Sequence, residues 1–303
     1  MKIPFLRSIV PPHVFCLLAE GVTYANVRRE PLGFAEARSF SYPAGSLGAS
    51  VSGTPLFTRE ALSEAVAAAR RLSEDRLSRA SVVFPDSWAR MLSIDFDTIP
   101  DAEAGAQEMV RWKLKKLLPG VTAELAIAFR EMPAAQGKRL LVAATPADTI
   151  ASIEQSFESL GVRVGRLSPA SLALFEGTAP LLSAKAGGDY ALLHRAAGSL
   201  SFLIARGSAP LFFRQRPEEE EPEAHEQELR LSLSYYQEKL QGPGLAAVFV
   251  HDERGAGAAS PLPPLPVDPV ALSGPLFGAD AEFDRNLATR PELLAGFAAV
   301  WGG

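Results

Sequence analysis

The chain has 303 residues, 47% hydrophobic and 21% charged, enough apolar material for a sizeable core and enough length for two domains. A net charge of −5 lacks the basic footprint that phosphate neutralisation requires, so nucleic acid is set aside as the main ligand. The single cysteine, Cys16, can form no internal disulfide and sits in an apolar run, which predicts a packed thiol and favours the cytoplasm.

Near the start, Lys2 and Arg7 precede a short apolar run, but Pro11, Pro12 and His13 interrupt it, which argues against a secretory signal. No other stretch approaches the roughly 20 apolar residues that a membrane helix needs. No direct membrane insertion is expected, and any membrane association runs through a partner or a surface.

Residues 14–29 read as two strands joined at Glu20-Gly21, and 34–42 adds a third. After a Gly/Ser/Pro loop over 43–55, Thr58 caps a helix with apolar positions Leu62, Val66, Ala69 and Leu72. A short buried strand at 81–84 is stopped by Pro85-Asp86-Ser87, and 89–96 alternates as a further strand. Ile99-Pro100-Asp101 then opens a helix whose stripe is Ala106, Val110, Leu114, Leu117 and Leu118, with Pro119 closing it. Residues 125–131 make a returning strand.

The stretch 139–177 is the most regular unit. Strand 140–144, a helix with apolar positions Ile150, Ile153, Phe157 and Leu160, a stop at Gly161 and strand 162–167 predict a crossover joining two parallel neighbours. Thr178 to Gly188 is small and polar and reads as a boundary. Beyond it, strands at 190–194, 201–205 and 210–214 repeat the opening meander, followed by a helix over 224–240. The acidic run 218–223 reads as a solvated first turn of that helix, a basic partner or a cation being the other readings. Residues 246–250 form another buried strand, the segment to Gly278 is irregular with a proline-rich 261–266, and 291–301 is a final helix.

Three stretches then resemble a known family. VVFPDSWARMLSIDFDTIPDAEAGAQEMVRWKLKKLLP at 82–119, the strand-helix-strand-helix stretch at 140–175, and the helix at 291–301 are similar, in that order, to the type IV pilus assembly protein PilM and its cousins, the cytoplasmic portion of GspL and MshI. The resemblance implies the α/β fold of actin, sugar kinases and chaperone ATPases, two duplicated domains around a nucleotide cleft. On that reading residues 1–177 are the first domain, with an inserted subdomain at about 90–131, and 178–303 the second.

The phosphate hairpins of that superfamily map onto Glu20, Gly21 and Thr23 in the first half and onto Gly198 and Ser199 in the second. They depart from the pattern. The first has no aspartate, the second has His194-Arg195 where an acid is expected, and the adenine-side turn is His251-Asp252-Glu253-Arg254-Gly255-Ala256-Gly257. These are read as vestigial, with no catalytic residue and no metal site; ATP with magnesium is the disfavoured cofactor. Four histidines, His13, His194, His225 and His251, show no metal-ligand spacing.

The resemblance also implies a partner, the short cytoplasmic amino-terminal peptide of a PilN-like bitopic inner-membrane protein, held between the first sheet and the inserted subdomain. Pilus motor ATPase or platform proteins are further partners. Arg111, Trp112, Lys115 and Lys116 are the residue types expected to anchor it, a basic solvated face with Trp112 half-buried being the alternative. The leading expectation is a cytoplasmic, non-catalytic scaffold of a type IV pilus or type II secretion platform, peripheral to the bacterial inner membrane. The alternative is an active ATPase or small-molecule kinase with atypical phosphate loops.

Overall fold

The computed structural model describes residues 10–42, 47–48, 56–57, 59–73, 77–118, 124–134, 136–196, 198–217, 222–253 and 264–302. Most of the 43–55 loop, Thr58, Pro119, the acidic residues 218–221, the turn 254–257 and positions 261–263 lie outside them.

Alternation of apolar residues produces β1 (His13–Leu17), β2 (Gly21–Arg29) and β3 (Leu32–Ser41), an antiparallel meander in which all five residues of β1 are buried. The paired dipeptides β4 (Leu47–Gly48) and β5 (Leu56–Phe57) follow, then α1 (Arg59–Leu72). Its apolar spacing buries Leu62, Val66 and Ala69 as expected, while Leu72 at the last turn stays exposed. Strand β6 (Arg79–Phe84) returns parallel to β1.

A single 3-10 turn at Asp86–Trp88 leads into a separate layer. Strand β7 (Arg90–Phe96), helix α2 (Glu103–Leu117), strand β8 (Leu125–Met132) and strand β9 (Lys138–Pro146) build a three-stranded antiparallel sheet of order β7-β9-β8, with α2 on one face. Ala106, Val110 and Leu114 of the α2 stripe are buried, and Ile94, Phe96, Leu140 and Val142 pack with Val110 and Leu114. Leu117 is exposed, because the stripe drifts off the sheet in the last turn. This sheet takes in β9, so the inserted layer runs to Pro146 rather than stopping near residue 131.

Helix α3 (Ala147–Glu158), strand β10 (Arg163–Pro169) and helix α4 (Ala170–Ala186) complete the first half. The expected parallel pairing of the strands flanking α3 is corrected here. Strand β10 pairs parallel with β6 at the edge of the first sheet, whereas β9 pairs only antiparallel, with β7 and β8. The crossover is real but carries the chain from one sheet to another. The predicted linker at 178–188 is also corrected: α4 runs unbroken to Ala186 and is closed by Gly187 at φ +68. Its small residues serve packing instead. Thr178 bonds back to the carbonyl of Leu174, and a side chain at Gly177 would stand 2.1 Å from the carbonyl oxygen of Ala298.

The second half repeats the first. Strands β11 (Tyr190–Ala196), β12 (Ser199–Arg206) and β13 (Ala209–Arg216) form the meander, α5 (Pro222–Glu238) follows, and β14 (Ala247–Asp252) pairs parallel with β11. The segment expected to be irregular holds β15 (Pro269–Ala271), parallel to β14, and the one-turn helix α6 (Gly274–Phe277). Helices α7 (Ala281–Thr289) and α8 (Leu293–Trp301) end the chain. The two five-stranded sheets have the same order, β10-β6-β1-β2-β3 and β15-β14-β11-β12-β13, so the fold is the duplicated actin-like one.

Successive residues of β1 face opposite ways. Phe15 meets Phe157 of α3 edge-on, while Val14 and Cys16 meet α8 at Gly296. Helix α8 therefore lies on the first sheet beside α4, although the sequence assigns it to the second half. Its Phe297 and Trp301 join Phe34, Phe277 and Phe283 in one aromatic cluster, with Phe34 and Phe283 stacked at 5.1 Å.

Candidate functional site

The carboxyl ends of β1, β6, β11 and β14 converge between the two halves, the position where open α/β sheets place their ligand crevice. Side chains hydrogen-bonded to one another line this crevice. Asp86, fully buried, accepts the Ser171 backbone N–H at 2.9 Å, the Ser201 hydroxyl at 2.7 Å and Nδ1 of His194 at 3.2 Å. Its backbone carbonyl accepts the Gln215 amide, whose oxygen takes the Met91 N–H. One residue thus ties the amino end of α4, the second sheet and the start of the inserted layer together.

His194 is equally buried, and its Nε2 faces Glu253 at 3.0 Å. Burial alone pushes this imidazole down, but the carboxylates of Glu253 and Asp86 hold it up, to about 10. Asp86 shifts oppositely: burial raises it, and the bonds from His194, Ser171 and Ser201 outweigh that and hold it low. Beside them Arg195, buried, lies 3.6 Å from Asp252.

The residues expected as vestigial phosphate contacts lie at or beside the β1–β2 and β11–β12 turns. Glu20 is exposed at the β1–β2 turn. Gly21 is glycine because a side chain there would stand 2.3 Å from the Phe40 carbonyl of β3. The Thr23 hydroxyl donates to Glu292 at 2.5 Å and shares a hydrogen bond with Ser39. Burial raises the Glu292 carboxyl. Gly198 takes φ +77 in the β11–β12 turn, and Ser199 is buried at the start of β12. Thr23 is thus committed to an internal carboxylate, and the position expected to be acidic is the engaged His194.

The residues expected to anchor a partner lie elsewhere. Trp112 is 57% exposed on α2 with the Lys116 ammonium 3.7 Å from its ring centroid, and Lys115 is exposed beside them. Arg111 donates to the Leu125 carbonyl of β8 and holds the helix to its sheet. These residues are on the α2 side of the three-stranded sheet, so the expected place for them between that sheet and the first is corrected. The opposite face carries a small, mostly apolar cleft of about 90 Å³. Ala128 and Arg130 of β8, Leu141 and Ala143 of β9, and Leu172 and Phe175 of α4 line it. At its mouth Arg130 lies 5.8 Å from the Phe175 ring, and Glu176 pairs with Arg166 at 2.6 Å. In that sheet β8 is an edge strand, with no neighbour on its outer side among the described residues.

A chain of the solved structure described as the PilM-PilN type IV pilus biogenesis complex matches 96% of this chain over 99% of its own length, with TM-score 0.69 and 17% identity. The chain is PilM-like in fold. The cytoplasmic domain of EpsL, an inner-membrane component of the type II secretion system of Vibrio cholerae, aligns over 86% of this chain and 84% of its own at TM-score 0.44 and 12% identity. A Bacteroides thetaiotaomicron protein with actin-like ATPase fold and unknown function aligns over 98% and 99% at TM-score 0.49 and 11% identity. No protein-family model and no curated protein matches the sequence.

Sequence reasoning missed Asp86, Glu253 and Glu292 as site residues. Asp86 read only as a turn former, although an acid just past a buried strand in an α/β pattern stands where crevice residues stand. The PilM-like layout also brings His194 and His251 together from positions 57 residues apart in sequence, which no local spacing reveals.

Proposed function

We propose that this chain is a cytoplasmic, non-catalytic scaffold of a bacterial type IV pilus or type II secretion inner-membrane platform. It captures the short cytoplasmic amino-terminal peptide of a PilN-like membrane protein in the cleft between β8, β9 and α4. The observation that carries the reading is this cleft, apolar within and bordered by an unpaired strand edge, in a chain whose fold matches one named for a PilM-PilN complex. Such an edge offers backbone hydrogen bonds to an extended peptide, while Leu141, Leu172 and Phe175 supply the apolar pockets that give selectivity. Among the described residues no helix is long and apolar enough to cross a membrane, so on this reading the membrane link is the partner's. The nucleotide chemistry of the fold is lost, because hydrolysis needs metal, phosphate and water positioned at once and the crevice groups bond one another instead.

The test is fluorescence anisotropy with a labelled amino-terminal peptide of the membrane protein encoded beside this chain. Ala128→Trp, at an exposed position, fills the cleft without disturbing the core and is expected to weaken capture at least tenfold. Trp112→Ala is expected to leave it within twofold. Loss of capture in Trp112→Ala with none in Ala128→Trp would place the peptide on α2 and overturn the assignment.

A further inference from the structure

We propose that His194, His251 and Glu253 form a binding site for a divalent transition metal, zinc by the chemistry of its donors, at the crevice edge of the second sheet. The argument begins with register. Strands β11 and β14 are parallel, and His194 is the direct partner of His251, so both imidazoles leave the same face. Their rings are parallel at 5.5 Å between centroids. Glu253 stands one residue past the end of β14, and its carboxylate turns toward both imidazoles.

The distances suit a metal. Oε1 of Glu253 lies 3.0 Å from Nε2 of His194 and 3.8 Å from Nε2 of His251, and one ligand atom from each of the three falls within 4.8 Å of the others. Two ligands bound at about 2.0–2.2 Å to a tetrahedral ion stand about 3.4 Å apart. Small side-chain adjustments close that gap.

The rings are also held as metal ligands are held. Nδ1 of His194 is anchored on Asp86, the carboxylate–imidazole pairing that orients a ligand and raises its basicity, and His251 hydrogen-bonds the Pro291 backbone. An independent observation points the same way. Nε2 of His251 is buried with no hydrogen-bond partner, an arrangement that is costly in a folded protein. A cation between the three groups satisfies it.

The donor set chooses the ion. Magnesium and calcium take oxygen ligands, whereas two imidazoles and a carboxylate suit zinc, cobalt or nickel. Three protein ligands leave a fourth position for water or another small ligand. Uptake also requires Nε2 of His194 to be free. The proton it donates to Glu253 in the metal-free protein passes to solvent as the metal–nitrogen bond forms.

The experiment uses the full chain, stripped with a chelator and titrated with Co²⁺ and Zn²⁺ and, as control, Mg²⁺. One equivalent of Co²⁺ is expected to give the intense visible bands of a four-coordinate ion, to raise the melting temperature, and to be displaced by Zn²⁺; Mg²⁺ does none of these. His251→Phe keeps a ring in the stack and Glu253→Gln keeps the shape, and both are expected to fold with unchanged circular dichroism and to lose about a hundredfold or more in affinity. Two results each overturn the site: no Co²⁺ signal from the wild-type chain, or variants that hold Co²⁺ as tightly as wild type, which would locate the ion elsewhere. Neither depends on the peptide reading above.

Discussion

Replacing Asp86 by alanine tests whether the crevice network joins the two halves. The side chain is fully buried and accepts three hydrogen bonds, two of them from the second sheet. Its loss leaves the His194 cation without one of its two carboxylates and the amino end of α4 without its acceptor. Removing one partner of a buried charge pair costs about 3–5 kcal/mol, a large part of the 5–15 kcal/mol that a typical folded protein has. Asp86→Asn keeps the shape and an oxygen for Ser171, and is expected to cost about 2 kcal/mol. The assay is urea unfolding followed by circular dichroism and by tryptophan fluorescence, since Trp88 lies on the same turn. Because α8 still joins the halves, the alanine variant is expected to unfold in one transition at lower urea, by both probes. A loss below about 1 kcal/mol, the range of an exposed ion pair, refutes the reasoning.

Thermal shift with Mg-ATP should show no stabilisation, where a ligand at a hundred times its dissociation constant would give about 2.7 kcal/mol; such a shift would restore the enzyme reading. Gly177→Ala places a methyl 2.1 Å from the Ala298 carbonyl and is expected to cost about 1–3 kcal/mol by prising α8 from α4, read as a lower melting temperature. Asp189 is held below the usual carboxylate range by Arg206, against its own desolvation and with help from Tyr236. A depressed folded pKa contributes stability above the unfolded value that is lost as pH falls through the folded one. Asp189→Asn should therefore be less stable than wild type at pH 7, and the difference measured by urea unfolding should shrink below about pH 4.

Most elements were legible because burial imposes its period on the residues: the hairpins of both halves, α1, α2 and α3 follow alternation or three-four spacing. What the sequence could not reveal was which strand pairs with which. The strands flanking α3 have the pattern of a parallel crossover wherever their partners lie, and only the finished sheets show that they belong to different layers. Composition misled at 178–186, where residues that suit a linker continue α4 and Thr178, Ala179 and Leu182 are buried. His194 and His251 come from different strands that only the parallel register sets side by side, and Asp86 reaches them from the turn after β6 in the other half. Trp112 has the chemistry of an interface anchor, but the apolar cleft opens on the other side of its sheet.

The position of α8 has a consequence in time. The face of β1 that carries Val14 and Cys16 is covered by α8, which is made more than a hundred residues after α4. During synthesis that face stays open for on the order of ten seconds after α4 emerges, at ordinary elongation rates. The first half therefore cannot mature ahead of the second. Expressing residues 1–187, which keep α4 whole, should yield aggregating material rather than a separable module, and the two halves are one folding unit despite their matching sheets.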